Sequence, residues 1–164
     1  MGKVIQEVIE SAGFRPIENL TGHEIKPYNL HAGLTVPNIE VPYNWEIKEG
    51  MVIAIEPFAT NGYGRVVESR QSEIFSLLAK KPTRMKEGRV ILSTVEKERR
   101  ELPFASRWFI TIAPPAKLNL VLNRLVSEKA LKAYPVLHEK ERGVVSQFEH
   151  TVIVTSHGCE VTTL

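Results

Sequence analysis

Two apolar runs, residues 51–60 and 144–154, each hold a single carboxylate near the middle, Glu56 and Glu149, and no other feature limits the fold as much. A lone ionised carboxylate withdrawn from water is costly, so such a group must be paired, protonated or bound to a metal. No Lys or Arg lies within three residues of either glutamate. His23, in Gly22-His23-Glu24-Ile25, and His31, in Leu30-His31-Ala32-Gly33, offer imidazoles that could complete a coordination shell. The competing explanation for each glutamate is an arginine partner from a distant part of the chain.

Composition sharpens the choice of ligands. The 164 residues suit one domain with a sizeable core, and 43% apolar with 24% charged residues is ordinary globular usage. All 19 acidic residues are Glu, so a metal site made by this chain must use Glu and His or be completed by another polypeptide. Nitrogen and oxygen ligands without sulfur point to Mn, Fe, Co or Zn. The single cysteine, Cys159, rules out an internal disulfide. A net charge of +2 gives no reason by itself to expect a nucleic-acid partner. No apolar run reaches membrane-spanning length and no basic-then-apolar leader is present, so the expectation is a cytoplasmic protein without a membrane partner.

Along the chain, Val4, Ile5, Val8 and Ile9 predict an amphipathic helix over residues 3–12, stopped by Gly13. Residues 14–20 read as extended, and Thr21-Gly22 as a bend that presents His23. Pro27, Pro37 and Pro42 divide residues 24–45 into short strands and ordered loops. Residues 51–57 could be a buried strand or a short buried helix; Pro57 and the loop Asn61-Gly62-Tyr63-Gly64 favour the strand. Ile74, Leu77 and Leu78 share one helical face, Ser93-Thr94-Val95-Glu96 matches a capping box, and Pro114-Pro115 begins a helix with apolar face Leu118, Val121, Leu122 and Leu125. Residues 69–141 therefore read as a helical unit inserted between strand regions 1–68 and 142–164, the last forming a terminal hairpin. On a strand through Glu149, Gln147 and Thr151 share its face while His150 points the other way.

Four blocks taken together carry a resemblance. Asn19-Leu20-Thr21-Gly22-His23, Leu30-His31-Ala32-Gly33 with Val36-Pro37-Asn38, Ala54-Ile55-Glu56-Pro57-Phe58 and Gln147-Phe148-Glu149-His150-Thr151 resemble, in order, the motifs of type II methionine aminopeptidases in their archaeal form. The resemblance implies an α+β architecture: the C-terminal half of a pita-bread (creatinase/aminopeptidase) fold, with a winged-helix-like insertion between the two glutamates. It implies two divalent metal ions, with His23, Glu56 and Glu149 as ligands and Glu149 bridging. Glu56 matches the general base, His31 the histidine that contacts the scissile amide, and Leu30 with Tyr134 parts of the methionine side-chain pocket.

The implied activity is removal of the initiator methionine from nascent polypeptide N-termini, with a possible ribosome contact. Two aspartate ligands and a further substrate-contacting histidine belong, in the family, to a half that precedes the first helix here. The expectation is therefore a chain with three of five ligands that needs that N-terminal half. The alternative is a non-catalytic relative that binds RNA or the ribosome, for which residues 80–107 offer nine Lys or Arg against four Glu.

Overall fold

The structure, a computed structural model, describes residues 1–43 and 45–164; Asn44, within the stretch read as short strands and loops, lies outside the described residues. In chain order the elements are α1 (Gly2–Ser11), β1 (Arg15–Pro16), β2 (Thr21–Ile25), β3 (Thr35–Pro37), β4 (Val52–Ile55), β5 (Phe58–Thr60) and β6 (Val66–Leu77). There follow α2 (Lys86–Glu98), β7 (Phe104–Ala105), a 3-10 helix (Ser106–Phe109), α3 (Pro115–Ser127), β8 (Leu131–Glu139), β9 (Val145–Gln147), β10 (His150–Thr155) and β11 (Gly158–Val161). The chain divides into two compact units, Met1–Val67 with Leu137–Leu164, and Glu68–Val136. Among the described residues no helix is long and apolar enough to cross a membrane.

In the first unit, α1 ends as its sequence predicts. Gly13 takes φ +81°, and the Gly13 and Phe14 amides donate to the carbonyls of Glu10 and Ile9, the paired bonds of a Schellman stop. The main sheet has strand order β11-β10-β4-β2-β3, all neighbours antiparallel, so the apolar β4 lies at its centre. Leu34, Val36, Ile53 and Val152 form its buried core, with Ile5, Met51, Ile55, Val154 and Val161 packed around them. Each such side chain removed from water contributes about 1.5–3 kcal/mol. A second sheet has order β1-β5-β9.

The expected bend at Thr21-Gly22 is instead the start of β2. Gly22 is needed for close approach rather than for turning, because a Cβ there would stand 2.2 Å from the Ala54 carbonyl oxygen. Both contacting groups are backbone, so no side-chain movement could relieve the clash.

The second unit has its own core of Phe75, Ile91, Leu92, Val95, Phe104, Phe109, Leu118, Val121, Leu122, Leu125 and Leu131. Its α3 begins at Pro115, as predicted. Two expectations fail here. Residues 74–78 are not helical: Ile74 and Phe75 lie on β6 and pair with Ala105 and Phe104 of β7. The helical spacing of Ile74, Leu77 and Leu78 was fortuitous, since Phe75 enters the core while Ile74 and Leu78 stay exposed. Likewise Ser93-Thr94-Val95-Glu96 opens no helix, because α2 starts seven residues earlier at Lys86 and the Met85 N-cap makes no side-chain cap bond. Ile91, Leu92 and Val95 bury one continuous stripe, and that burial outweighs a local capping pattern. The unit is thus mixed rather than helical, with a three-stranded sheet of order β7-β6-β8 beside α2 and α3.

Within the first unit, Glu139 clasps the segments on either side of it in space. Its Oε1 accepts from the Tyr63 and Gly64 amides (2.6 and 3.2 Å) and its Oε2 from those of Glu141 and Gly143 (2.7 and 2.8 Å). A Cβ on Gly62 would fall 2.5 Å from the Glu139 carboxyl carbon, so the loop closes on the acid only because glycine is there. Burial opposes ionisation of Glu139, but the four N–H donors outweigh it and hold its pKa below the ordinary 4.5. A carboxyl depressed in the folded state contributes stability above its unfolded value and loses it as pH falls. Acid unfolding below about pH 4.5 is therefore expected to flatten in Glu139→Gln. That variant should also have a lower urea midpoint at pH 7, since an amide cannot accept from all four donors; an unchanged midpoint and acid limb would refute the assignment.

Candidate metal centre

The register of two strand pairs sets the geometry. Ile55 of β4 faces His150 of β10, and Phe58 of β5 faces Gln147 of β9. Carrying that one antiparallel register through the gap sets Glu56 opposite Glu149 and Pro57 opposite Phe148, and the Phe148 amide donates to the Pro57 carbonyl at 3.2 Å. Residues directly opposite one another present their side chains to the same face, with Cβ atoms about 4.5–5.5 Å apart. Pro57 has no amide hydrogen, so the regular ladder breaks where the two acids meet.

His23 comes from β2, whose residue 23 pairs with Ala54. Alternation puts His23, Ala54 and Glu56 on one face, and the His23 Nε2 lies 3.1 Å from the Glu56 Oε1. On the other side of the ring, Nδ1 is 3.4 Å from the Glu24 carbonyl oxygen. The ring thus lies between the Glu24 carbonyl and the Glu56 carboxylate, with one nitrogen toward each. Both side chains are largely enclosed, His23 at 10% and Glu56 at 14% exposure.

Electrostatics mark Glu56. Burial and then the facing charge of Glu149 raise its pKa above 4.5, while His23 and a hydrogen bond from Gln147 pull it down. That bond runs from the Gln147 Nε2 to the Glu56 Oε2 at 2.9 Å. The sequence places Gln147 on this face but gives it no role; period-two alternation from Glu149 was the available signal. His150, as alternation requires, serves elsewhere, its Nδ1 lying 2.9 Å from the Thr163 hydroxyl.

One expectation needs correction. Glu149 is not buried: Val144 through Glu149 are exposed, and only from His150 onward does the chain turn partly inward. The apolar flank of Glu149, Val144 and Phe148, contributes exposed surface rather than core. An apolar run in sequence implies burial only when an opposing layer covers it.

His31 is exposed, and its ring centroid stands 4.3 Å from that of His23, tilted by 53°. Leu30, before it, is half-buried. Tyr134 belongs to the second unit, where its hydroxyl shares a 3.3 Å hydrogen bond with Ser76 and the Lys132 ammonium lies 4.7 Å over its ring.

These groups suit a divalent cation. An imidazole nitrogen and two carboxylates form a hard-to-borderline donor set, and a cation between them would relieve the repulsion that disfavours ionised Glu56. Among the described residues, however, no three or more His, Cys, Asp or Glu converge closely enough to hold an ion by themselves. The set is a partial one.

Comparison with known proteins identifies relatives of the chain. The chain is 44% identical over 163 residues to the methionine aminopeptidase of Methanocaldococcus jannaschii, covering 99% of this chain and 54% of that protein. It is 47% identical over 164 residues to the methionine aminopeptidase of Thermococcus onnurineus, covering 99% and 56%. The chain thus spans about half the length of the curated relatives it matches. Among solved structures, a thermophilic Arx1 superposes with a TM-score of 0.77 at 16% identity, over 98% of this chain and 44% of that one. The methionine aminopeptidase of Rickettsia prowazekii does so at 0.56 and 18%, over 99% and 41%. These likenesses show an α+β domain related to the pita-bread fold and covering part of it. The profile of metallopeptidase family M24 matches residues 1–156, nearly the whole chain, and on that ground the chain belongs to metallopeptidase family M24.

Proposed function

We propose that this chain is the C-terminal part of an archaeal-type methionine aminopeptidase, which removes the initiator methionine from nascent polypeptides once an N-terminal half supplies the remaining ligands. The observation that carries the proposal is the opposition of Glu56 and Glu149 with the His23 Nε2 at 3.1 Å from Glu56. Identity of 42–47% to archaeal relatives named methionine aminopeptidase supports it. On this reading residues 68–136 are the insertion between the two glutamates, two helices over a three-stranded sheet, as in a winged helix.

His23, Glu56 and Glu149 would hold two divalent ions of Co, Mn, Fe or Zn, with Glu149 shared, and two aspartates outside this sequence would complete the set. Such ions, when bound, supply Lewis acidity toward water and the peptide carbonyl. The chain's own residues account for the rest. Glu56 is placed for general-base work, an enclosed carboxylate whose Oε1 stands at the site beside His23. Gln147 fixes the Glu56 Oε2, leaving Oε1 on the His23 side. His31, exposed beside His23, can donate to the oxyanion that forms as the scissile carbonyl becomes tetrahedral. Leu30 offers half-buried apolar surface for the methionine side chain.

The RNA-binding alternative gains little from the basic stretch. Lys80 is paired with Glu96, Lys81 donates to the Glu128 carbonyl, Arg89 to those of Thr83 and Arg84, and Arg99 to that of Pro103. Cations used for local structure are poorly placed to track a phosphate backbone.

Co-expressed with the N-terminal half of an archaeal relative and given Mn or Co, the chain is expected to release methionine from a Met-Ala or Met-Gly peptide. Glu56→Gln should lower kcat by about 10²–10⁴, and His31→Ala by about 10²–10³. No cleavage by a well-folded pair under either metal would refute the proposal.

Metal-free stability gives an independent check. Because the folded pKa of Glu56 is raised, the folded chain holds that proton more tightly than the unfolded chain. Stability is then fullest below the ordinary 4.5 and falls as pH rises through the raised value. Glu149→Gln is expected to raise the urea midpoint of the metal-free chain at pH 7 while reducing the further rise produced by Mn. Opposite signs distinguish a ligand pair from a structural one.

A further inference from the structure

We infer that Glu24 is a positioning residue for His31, a reading that rests on the catalytic role proposed for that histidine. His31 lies on the excursion between β2 and β3, residues 26–34, and little apolar burial holds this loop in place. Residues 26–29 and His31 are exposed, Leu30 is only half-buried, and Leu34 is the first side chain to enter the core. Polar contacts hold the loop, and on its return arm the Ala32 and Leu34 amides both meet Glu24.

The Glu24 amide donates to the Leu34 carbonyl at 2.8 Å, and its own carbonyl accepts from the Ala32 amide at 2.9 Å. Its side chain turns to the same arm. Although Glu24 is buried, its Oε2 receives the Leu34 amide in a long 3.5 Å contact, and its Oε1 meets the Lys26 ammonium at 3.1 Å. The carboxylate thus ties the outgoing arm, through Lys26, to the returning arm, through Leu34. Gly33 completes the arrangement: it takes φ +128°, which strains any side chain, and its Cβ position lies 3.6 Å from the Glu24 Oε2. The backbone carbonyl of this same residue faces the His23 Nδ1 at 3.4 Å. One residue therefore orients both imidazoles, His23 through its main chain and His31 through the loop its side chain secures, and the 4.3 Å separation of the two rings is the outcome.

The test is two-dimensional NMR of this chain, without metal or substrate, so a failed reconstitution of peptidase activity leaves it interpretable. The wild-type chain should show a ring-to-ring NOE between His23 and His31 and slow exchange at the Ala32 and Leu34 amides. Glu24→Ala is expected to abolish that NOE and to speed exchange at both amides by about tenfold or more, leaving exchange in α1 and β4 unchanged. Glu24→Gln retains an oxygen acceptor for Leu34 and should restore both signals. Lys26→Met, which removes only the exposed partner, should perturb them less than Glu24→Ala. The inference is overturned if Glu24→Ala keeps the NOE and the protection. It is equally overturned if Glu24→Gln fails to rescue, or, should Glu24→Ala not fold, if Glu24→Gln folds but lacks the NOE.

Discussion

Two carboxylates set opposite each other in the gap between two antiparallel strand pairs govern the local structure around them. At a separation of about 5 Å, two unit charges repel by about 0.8 kcal/mol in water and about 3 kcal/mol at an effective dielectric of 20. Depth therefore decides whether Glu56 and Glu149 are tolerable. The structure compromises by enclosing Glu56 and leaving Glu149 exposed, so one acid bears the desolvation and the other remains hydrated. Gln147 and His23 add partial compensation at each oxygen of Glu56. The residual penalty persists as a raised Glu56 pKa, and a bound cation could convert it into affinity.

Such a penalty requires a rigid frame, and the neighbouring strands provide one. β4 sits between β10 and β2, and Ile53 anchors it in a core shared with Leu34, Val36 and Val152. Gly22 lets β2 approach β4 closely enough to bring His23 to Glu56, which a methyl group at that position would prevent. The Glu139 clasp secures the other end of β5, holding the turn at Tyr63 and Gly64 against the chain that returns toward β9. Backbone bonds and small residues, rather than side-chain bulk, set the spacing at this centre. The second unit buries a separate core, so its packing does not depend on the strained acids.

Much of this was legible in the sequence because period and chemistry agreed. Alternation from Glu149 placed Gln147 on the shared face and His150 off it, the Gly13 stop and the Pro115 start matched local chain preferences, and the two apolar runs became neighbouring strands. Misreadings arose where a short local pattern lacked its tertiary partner. Ile74, Leu77 and Leu78 fit a helix by spacing, yet strand pairing with β7 decided the matter. Ser93 to Glu96 fit a cap, yet burial of Ile91 and Leu92 carried the helix back to Lys86. The exposure of Glu149 could not be read from its apolar neighbours, because burial is a property of what lies opposite. No sequence pattern assigns Glu24 a role; its contacts with Ala32 and Leu34 arise only from the backbone path of residues 26–34.

The absence of aspartate bears on how complete the centre is. A divalent ion held by His23, Glu56 and Glu149 alone would keep open positions, and among the described residues no group of three or more His, Cys, Asp or Glu closes around an ion. Glu149, the exposed one of the three, leaves that arrangement accessible from solvent. On the proposed reading a second polypeptide would bring further carboxylate ligands to those open positions. Adding those carboxylates without cations would raise the local repulsion further, because every new ligand is another like charge beside Glu56. On the proposed reading, ligand completion and metal uptake are therefore coupled: a polypeptide that supplies further acids should join this chain more tightly in the presence of divalent ions than in their absence.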